Sequence, residues 1–219
     1  ELLAFHNLWD ETENHSWDRF DFETFSDEDC FQLFRFGKNE IRQLENNLDI
    51  ARDWTGSNGL KWTGTEGLCI LLRRLAYPNR LADLLPIFSR IPTEISLIFN
   101  TVLKHVYERF GHLLTDWNQE WLGEVQLRMF AKATHASGLP IVNCWGFIDG
   151  TVMPICKPMR HQQEVYNGHK RTHALIYQSI VTPNGLIANL FGPMEGRRHD
   201  AALLAESDIL DEMHFYSET

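Results

Sequence analysis

Three short stretches in the last third of the chain carry side chains whose types and spacing could do chemistry. Asp149 follows the apolar pair Phe147-Ile148 and precedes Gly150-Thr151. A carboxylate at a strand end, beside a residue with no bulk, can reach a bound cation, and oxygen donors are what magnesium prefers. Asp-Gly is equally a common turn start, so spacing alone leaves both readings open. The second stretch is Gly192-Pro193-Met194-Glu195-Gly196-Arg197-Arg198-His199-Asp200. Asp200 stands where a helix should begin. It either caps that helix or contributes to a metal or phosphate site there, with Arg197 and Arg198 binding phosphate. The third stretch, Tyr166-Asn167-Gly168-His169-Lys170-Arg171, is a donor-rich turn. Lys170 and Arg171 suit contacts to a DNA backbone, and they suit an ordinary exposed turn as well. His169 and His173 are four apart, but in extended chain they are not the helical pair of a zinc protease. No G-x-S-x-G, P-loop or G-x-G-x-x-G occurs.

The elements that must position these groups follow from periodicity. After residue 140 the pattern reads as strand. Residues 144–149 form a short strand, the first and central one, whose end at Asp149-Gly150 should set the Asp149 side chain in an open cleft; Thr172–Val181 is rich in strand formers, and Pro183-Asn184-Gly185 is a turn. Leu186–Phe191 returns as a strand that Gly192-Pro193 ends, and Asp200–Leu210 reads as a helix. Before residue 140 the pattern is helical. Ser26 and Asp29 resemble a capping box ahead of a helix over about 27–35, a second helix covers Lys38–Leu48, and Thr55-Gly56-Ser57-Asn58-Gly59 then reads as a loop. Thr63 and Glu66 form a capping box ahead of Leu68, Leu71, Leu72 and Leu75, and a short helix spans Arg80–Leu85. Pro92 opens an apolar stripe through Phe110, and another helix runs from Glu120 to about His135. The fold class is therefore mixed α and β. An all-α region, residues 1–140, contains a helix-turn-helix-like segment at about 63–110, and residues 141–219 form an α/β region. The helix after Pro92 is a candidate DNA reader, with Thr93, Glu94 and Lys104 exposed and Arg90 just before it; three helices acting as structural support is the competing reading.

Composition narrows the function classes. The chain has 219 residues and a net charge of −10. Residues 1–60 hold 5 basic against 14 acidic side chains, residues 61–140 hold 9 against 7, and residues 141–219 hold 6 against 9. An acidic chain gains little from phosphate backbones by overall charge, so a target polyanion must be held by a local surface or by a basic partner. No apolar run approaches the roughly 18 residues of a membrane span, and membrane partners are not expected. Four scattered cysteines without a C-x-x-C pair argue against a zinc knuckle and suit a reducing compartment. Asn14-His15-Ser16 matches a glycosylation sequon and is discounted as a chance match.

The segment Trp145–Leu210 resembles the Harbinger-type transposases and the nucleases domesticated from them. The resemblance rests on Gly146-Phe147-Ile148-Asp149-Gly150-Thr151, on the turn 166–171, on Pro183-Asn184-Gly185-Leu186-Ile187 and on the stretch 192–200, in that order and spacing. Leu71–Tyr77 and the helix after Pro92 look like the helical region that precedes the nuclease, so the resemblance covers roughly residues 60–219. It implies a ribonuclease H-like domain, incomplete here, in which an Asp-Asp-Glu triad binds two divalent ions, Mg2+ or Mn2+. The ions activate water or a 3′-hydroxyl and stabilise the leaving oxygen. Asp149 matches the first, catalytic and metal-binding carboxylate. Asp200 belongs to a family motif and reads as a helix-start residue rather than the second triad member. The other two carboxylates are expected past Thr219, so this chain reads as a fragment that does not cleave DNA alone and leaves a sheet edge unpaired. The resemblance also implies DNA as substrate, a separate Myb-like DNA-binding partner and the nucleus, with or without the cytoplasm, as location. A catalytically inactive, domesticated DNA- or protein-binding module is the alternative. Downstream sequence supplying an Asp after a strand and a Glu on a helix decides between them.

Overall fold

The hydroxyl of Ser26 accepts the backbone N–H of Asp29, and the Asp29 carboxylate accepts that of Ser26. This reciprocal box starts helix α1, Asp27–Phe34, and confirms the reading of that segment. It belongs to a computed structural model that describes residues 20–117 and 119–210. The sequon at Asn14 and the acidic residues Asp211 and Glu212 lie outside the described residues. The chain divides into two compact units, Glu1–Arg109 and Phe110–Thr219. The change of period at residue 140 falls inside the second unit.

In the first unit α2 covers Lys38–Asn47, α3 Gly64–Ala76, α4 Leu85–Phe88 and α5 Pro92–Phe110, with a 3-10 turn at Leu81–Leu84. The all-α expectation is corrected by a small antiparallel hairpin, β1 Asp53–Thr55 and β2 Lys61–Thr63, in which Trp54 faces Trp62. The stacked indoles, 6.1 Å between centroids, hold the hairpin where the sequence shows only a loop. Phe34, Ile41, Leu68, Phe88, Ile95, Ile98 and Val102 form the core, as the apolar stripes require. Leu75, expected on the buried stripe of α3, is 66% exposed.

The expected capping box on α3 forms only by half. Thr63 Oγ1 accepts the Glu66 N–H at 3.2 Å, but the Glu66 carboxylate is claimed by Arg90 at 2.6 and 3.0 Å. A buried acid gains more from a forked guanidinium than from one more amide. Arg90 is thereby removed from the set of DNA-reading candidates. The remaining cations of α5 are also engaged. Lys104 pairs with Glu108, and Arg109 pairs with Asp49. Helices α3, α4 and α5 follow one another across residues 64–110, and the exposed face of α5 carries Asn100, Leu103, Tyr107 and Glu108 beside Lys104.

The second unit contains α6, Glu124–Ala136, and strands β3, Phe147–Pro154, β4, Tyr166–Asn167, β5, Thr172–Val181, and β6, Ile187–Glu195. Helix α7, Asp200–Glu206, follows. All pairings are antiparallel, and β5 is the strand that β3, β4 and β6 share. Its inward positions Ala174, Ile176, Gln178 and Ile180 are buried, the period-2 signature of a strand with one covered face. Leu122, Ile180, Ala188 and Ile209 form a small core joined by Trp117, Trp121, Trp145 and Leu204.

Three boundaries differ from the sequence reading. β3 does not end at Asp149 but continues to Pro154, because every residue from Phe147 to Pro154 finds a partner on β5. It also lies at an edge rather than at the centre, paired only with β5 among the described residues. β6 runs through Gly192-Pro193 instead of stopping there. Gly192 has φ 130°, the Gly192–Pro193 peptide is cis, and the ladder is irregular between Ile176 and Gln178. Such an irregularity is where a strand accommodates a proline. α7 stops at Glu206 rather than Leu210, with Ser207 following it.

Candidate functional site

β3 and α7 bring Asp149 and Asp200 to one cleft. Asp149 lies on the exposed β3, opposite Ser179, and its Oδ1 accepts the Gly150 N–H at 2.9 Å. Gly150 lies opposite Gln178. A Cβ on Gly150 would stand 2.5 Å from Asp200 Oδ1 and 3.0 Å from its Cγ, so the Asp200 carboxylate rests directly on the bare backbone of Gly150. The cleft, about 300 Å³, is lined by Ile148, Asp149, Gly150, Gln178, Asp200, Ala201, Leu203 and Leu204. Asp149 is among the residues that line this open cleft, while its side chain alternates to the face of Ser179. Asp200 is the first residue of α7 rather than its cap; the cap position falls to His199, which makes no side-chain bond to the helix.

Packing explains the meeting. Leu203 is fully buried and Leu204 joins the small core, which presses α7 onto the sheet. Gln178, buried at an inward position of β5, donates from Nε2 to Ser207 Oγ at 3.1 Å, and Ser207 Oγ donates to the Leu204 carbonyl at 3.0 Å. This chain of bonds fixes the far end of α7, and the Gly150 contact receives its near end. Sequence reasoning missed Gln178 and Ser207. The signal was a lone amide among the apolar inward residues of Thr172–Val181.

Neither Asp149 nor Asp200 has an ion-pair partner among the described residues. Their oxygen donors and open surroundings fit a hydrated magnesium or manganese ion, which keeps several waters and asks for one or two carboxylates. No group of three or more Asp, Glu, His or Cys side chains able to hold a metal occurs among the described residues. The fit is therefore to one ion.

The basic candidates separate. Arg198 is committed to a brace, with Nε 3.2 Å from Glu195 and an Nη 2.9 Å from Glu206. Its guanidinium and the backbone N–H of Glu195 itself hold the Glu195 carboxyl below the usual carboxylate range, the backbone bond being the larger cause. Arg197, Lys170 and Arg171 are exposed. The stretches 166–171 and 192–200 do meet. Asn167 Nδ2 donates to the Gly196 carbonyl at 2.8 Å, and the Arg197 N–H donates to the Glu164 carbonyl. Asn167 Oδ1 also accepts the Lys170 N–H, which shapes the turn.

The second unit is thus an antiparallel sheet with a helix packed on it and a cleft lined by Asp149 and Asp200 where they touch. Residues 148–218 match the family described as DDE superfamily endonuclease, and the match begins one residue before Asp149. That part of the chain is similar to those endonucleases. The comparisons with curated proteins and with solved structures found no match. Among the described residues no helix is long and apolar enough to cross a membrane.

Proposed function

We propose that residues 141–219 belong to the nuclease domain of a metal-dependent DNA endonuclease of transposase origin, of the Harbinger type and ribonuclease H-like in fold. The observation that carries this reading is the Asp200 carboxylate resting on Gly150, the residue next to Asp149, inside the segment similar to DDE superfamily endonucleases. Three antiparallel strands joined through β5, followed by a helix that crosses the sheet, support the fold assignment. Asp149 and Asp200 are the residues that would offer oxygen ligands to a divalent ion, Gly150 admits the Asp200 carboxylate, and Gln178 with Ser207 fixes the helix that carries it. A bound ion would supply Lewis acidity at phosphorus and lower the pKa of a bound water. The acidic chain leaves recognition of the target to a separate basic, Myb-like partner, and the nucleus is the place for such work.

Calorimetric titration of the chain with manganese tests the site. One ion should bind saturably, and Asp149→Asn and Asp200→Asn should each weaken it at least about tenfold, by analogy with losses of supporting groups at metal sites. Unchanged affinity in either variant would overturn the assignment. With one ion only, the chain alone should not cleave a labelled duplex in magnesium. Cleavage abolished by Asp149→Ala would show that the ligands for a second ion are already present.

A further inference from the structure

The cleft occupies one part of the β5 ladder, and the opposite end of that strand is chemically its reverse. Ile155 N–H donates to the His173 carbonyl on one flank of β5, and Ala174 N–H donates to the Val165 carbonyl on the other. The intervening loop, residues 156–164, therefore carries the chain round the end of the strand. The turn 168–171 projects from that same end, and Gly196 packs against the Val165 and Ala174 carbonyls. Lys157, Arg160, Lys170, Arg171 and Arg197 are all exposed there, and among the described residues none forms an ion pair at contact distance, although Arg197 lies near enough to the Glu195 carboxylate to help lower its pKa. The one acid in residues 155–173, Glu164, is occupied by His161 at 2.9 Å. Elsewhere in the unit Arg128 and Arg198 are paired with glutamates.

We infer that this end of the sheet is a docking surface for the phosphate backbone of duplex DNA. The choice of duplex DNA rests on the nuclease reading; the polyanion preference rests on the charges alone. Asp149 lies opposite Ser179, seven residues from Thr172 along β5, so the cations stand about 23 Å from the carboxylates at roughly 3.3 Å per residue. That is nearly three Debye lengths at physiological salt, about 8 Å each, and the acidic cleft does not cancel the attraction. It also corresponds to about seven base pairs of duplex, given one charge per about 1.7 Å of helix axis from the two strands together. An acidic chain thus keeps a local basic surface, and its distance from the cleft sets where the duplex leaves the metal site.

The test is fluorescence anisotropy with a labelled 20-base-pair duplex as probe, without divalent metal, across about 50–200 mM salt. Five phosphate contacts predict that affinity falls about 500-fold over that range, at a log–log slope of about 0.9 per contact. The triple variant Lys170→Ala, Arg171→Ala, Arg197→Ala should fall only about 12-fold, as two contacts remain. Lys132→Ala, an exposed cation on α6, should behave as the parent. An unchanged slope in the triple variant, an equal change in Lys132→Ala, or tighter binding of single-stranded RNA of the same length overturns the inference. The manganese titration separates the two readings. A chain that binds no manganese but loses salt dependence in the triple variant keeps this surface and loses the nuclease assignment. Manganese binding with an unchanged slope does the reverse.

Discussion

Replacing Gly150 with alanine isolates what the cleft depends on. Gly150 lies in a regular strand and does not have positive φ, so its backbone accepts alanine, and the substitution by itself would stabilise the fold by about 0.4–1 kcal/mol through the unfolded chain. The new Cβ would meet Asp200 Oδ1 at 2.5 Å, where ordinary contact begins at 3.4 Å. The carboxylate must therefore retreat by about 0.9 Å, whereas metal–ligand distances tolerate about 0.2 Å. Asp200 is exposed, so its side chain can turn aside at an off-rotamer cost of about 0.5–1.5 kcal/mol. The two terms nearly cancel. We expect urea unfolding to change by less than about 1 kcal/mol, while manganese affinity drops at least about tenfold, or 1.4 kcal/mol. Calorimetry and urea titration of the same preparation read both quantities. Affinity within twofold of the parent would refute the claim that Asp200 is a ligand. A stability loss beyond about 3 kcal/mol would refute the claim that its carboxylate is free to move.

Gly196 provides the contrasting case. A Cβ there would stand 2.4 Å from both the Ala174 and Val165 carbonyls, which are backbone and cannot turn aside, so Gly196→Ala should cost about 3 kcal/mol in urea unfolding of the second unit. Arg90→Ala in the first unit leaves the Glu66 carboxylate, 7% exposed, without its partner, and should lose about 3–5 kcal/mol by the same measurement. Glu195 has its carboxyl held below its ordinary value of 4.5 in the folded state. The stability it contributes is present above that pH and is lost as the pH falls through the lower folded value. Arg198→Ala should flatten this acid limb when urea midpoints are compared on either side of pH 4.5.

The sequence by itself determined the elements whose signals are local. The box at Ser26 and Asp29, the stripe from Pro92 to Phe110 and the strand Thr172–Val181 all formed at or near their expected bounds, since capping and periodicity depend on neighbours within one or two turns. The motifs around Asp149 and Asp200 were legible for the same reason, through residue types at fixed spacing. What they do to one another was not. Glu66 looked like half of a cap until Arg90, 24 residues away, claimed its carboxylate, and Arg198 looked like a phosphate contact until Glu195 and Glu206 took its donors. Gly192-Pro193 looked like a strand end because a proline removes a ladder donor, yet an irregular register on β5 carried the strand past it. Asp149 and Asp200 are 51 positions apart in the chain. Only the burial of Leu203 against the sheet, the Gln178–Ser207 bond and the missing side chain at Gly150 bring Asp200 onto β3 next to Asp149. That convergence is a property of packing, because long-range contacts are selected by the shape and polarity of surfaces that exist only once the sheet and helix have formed.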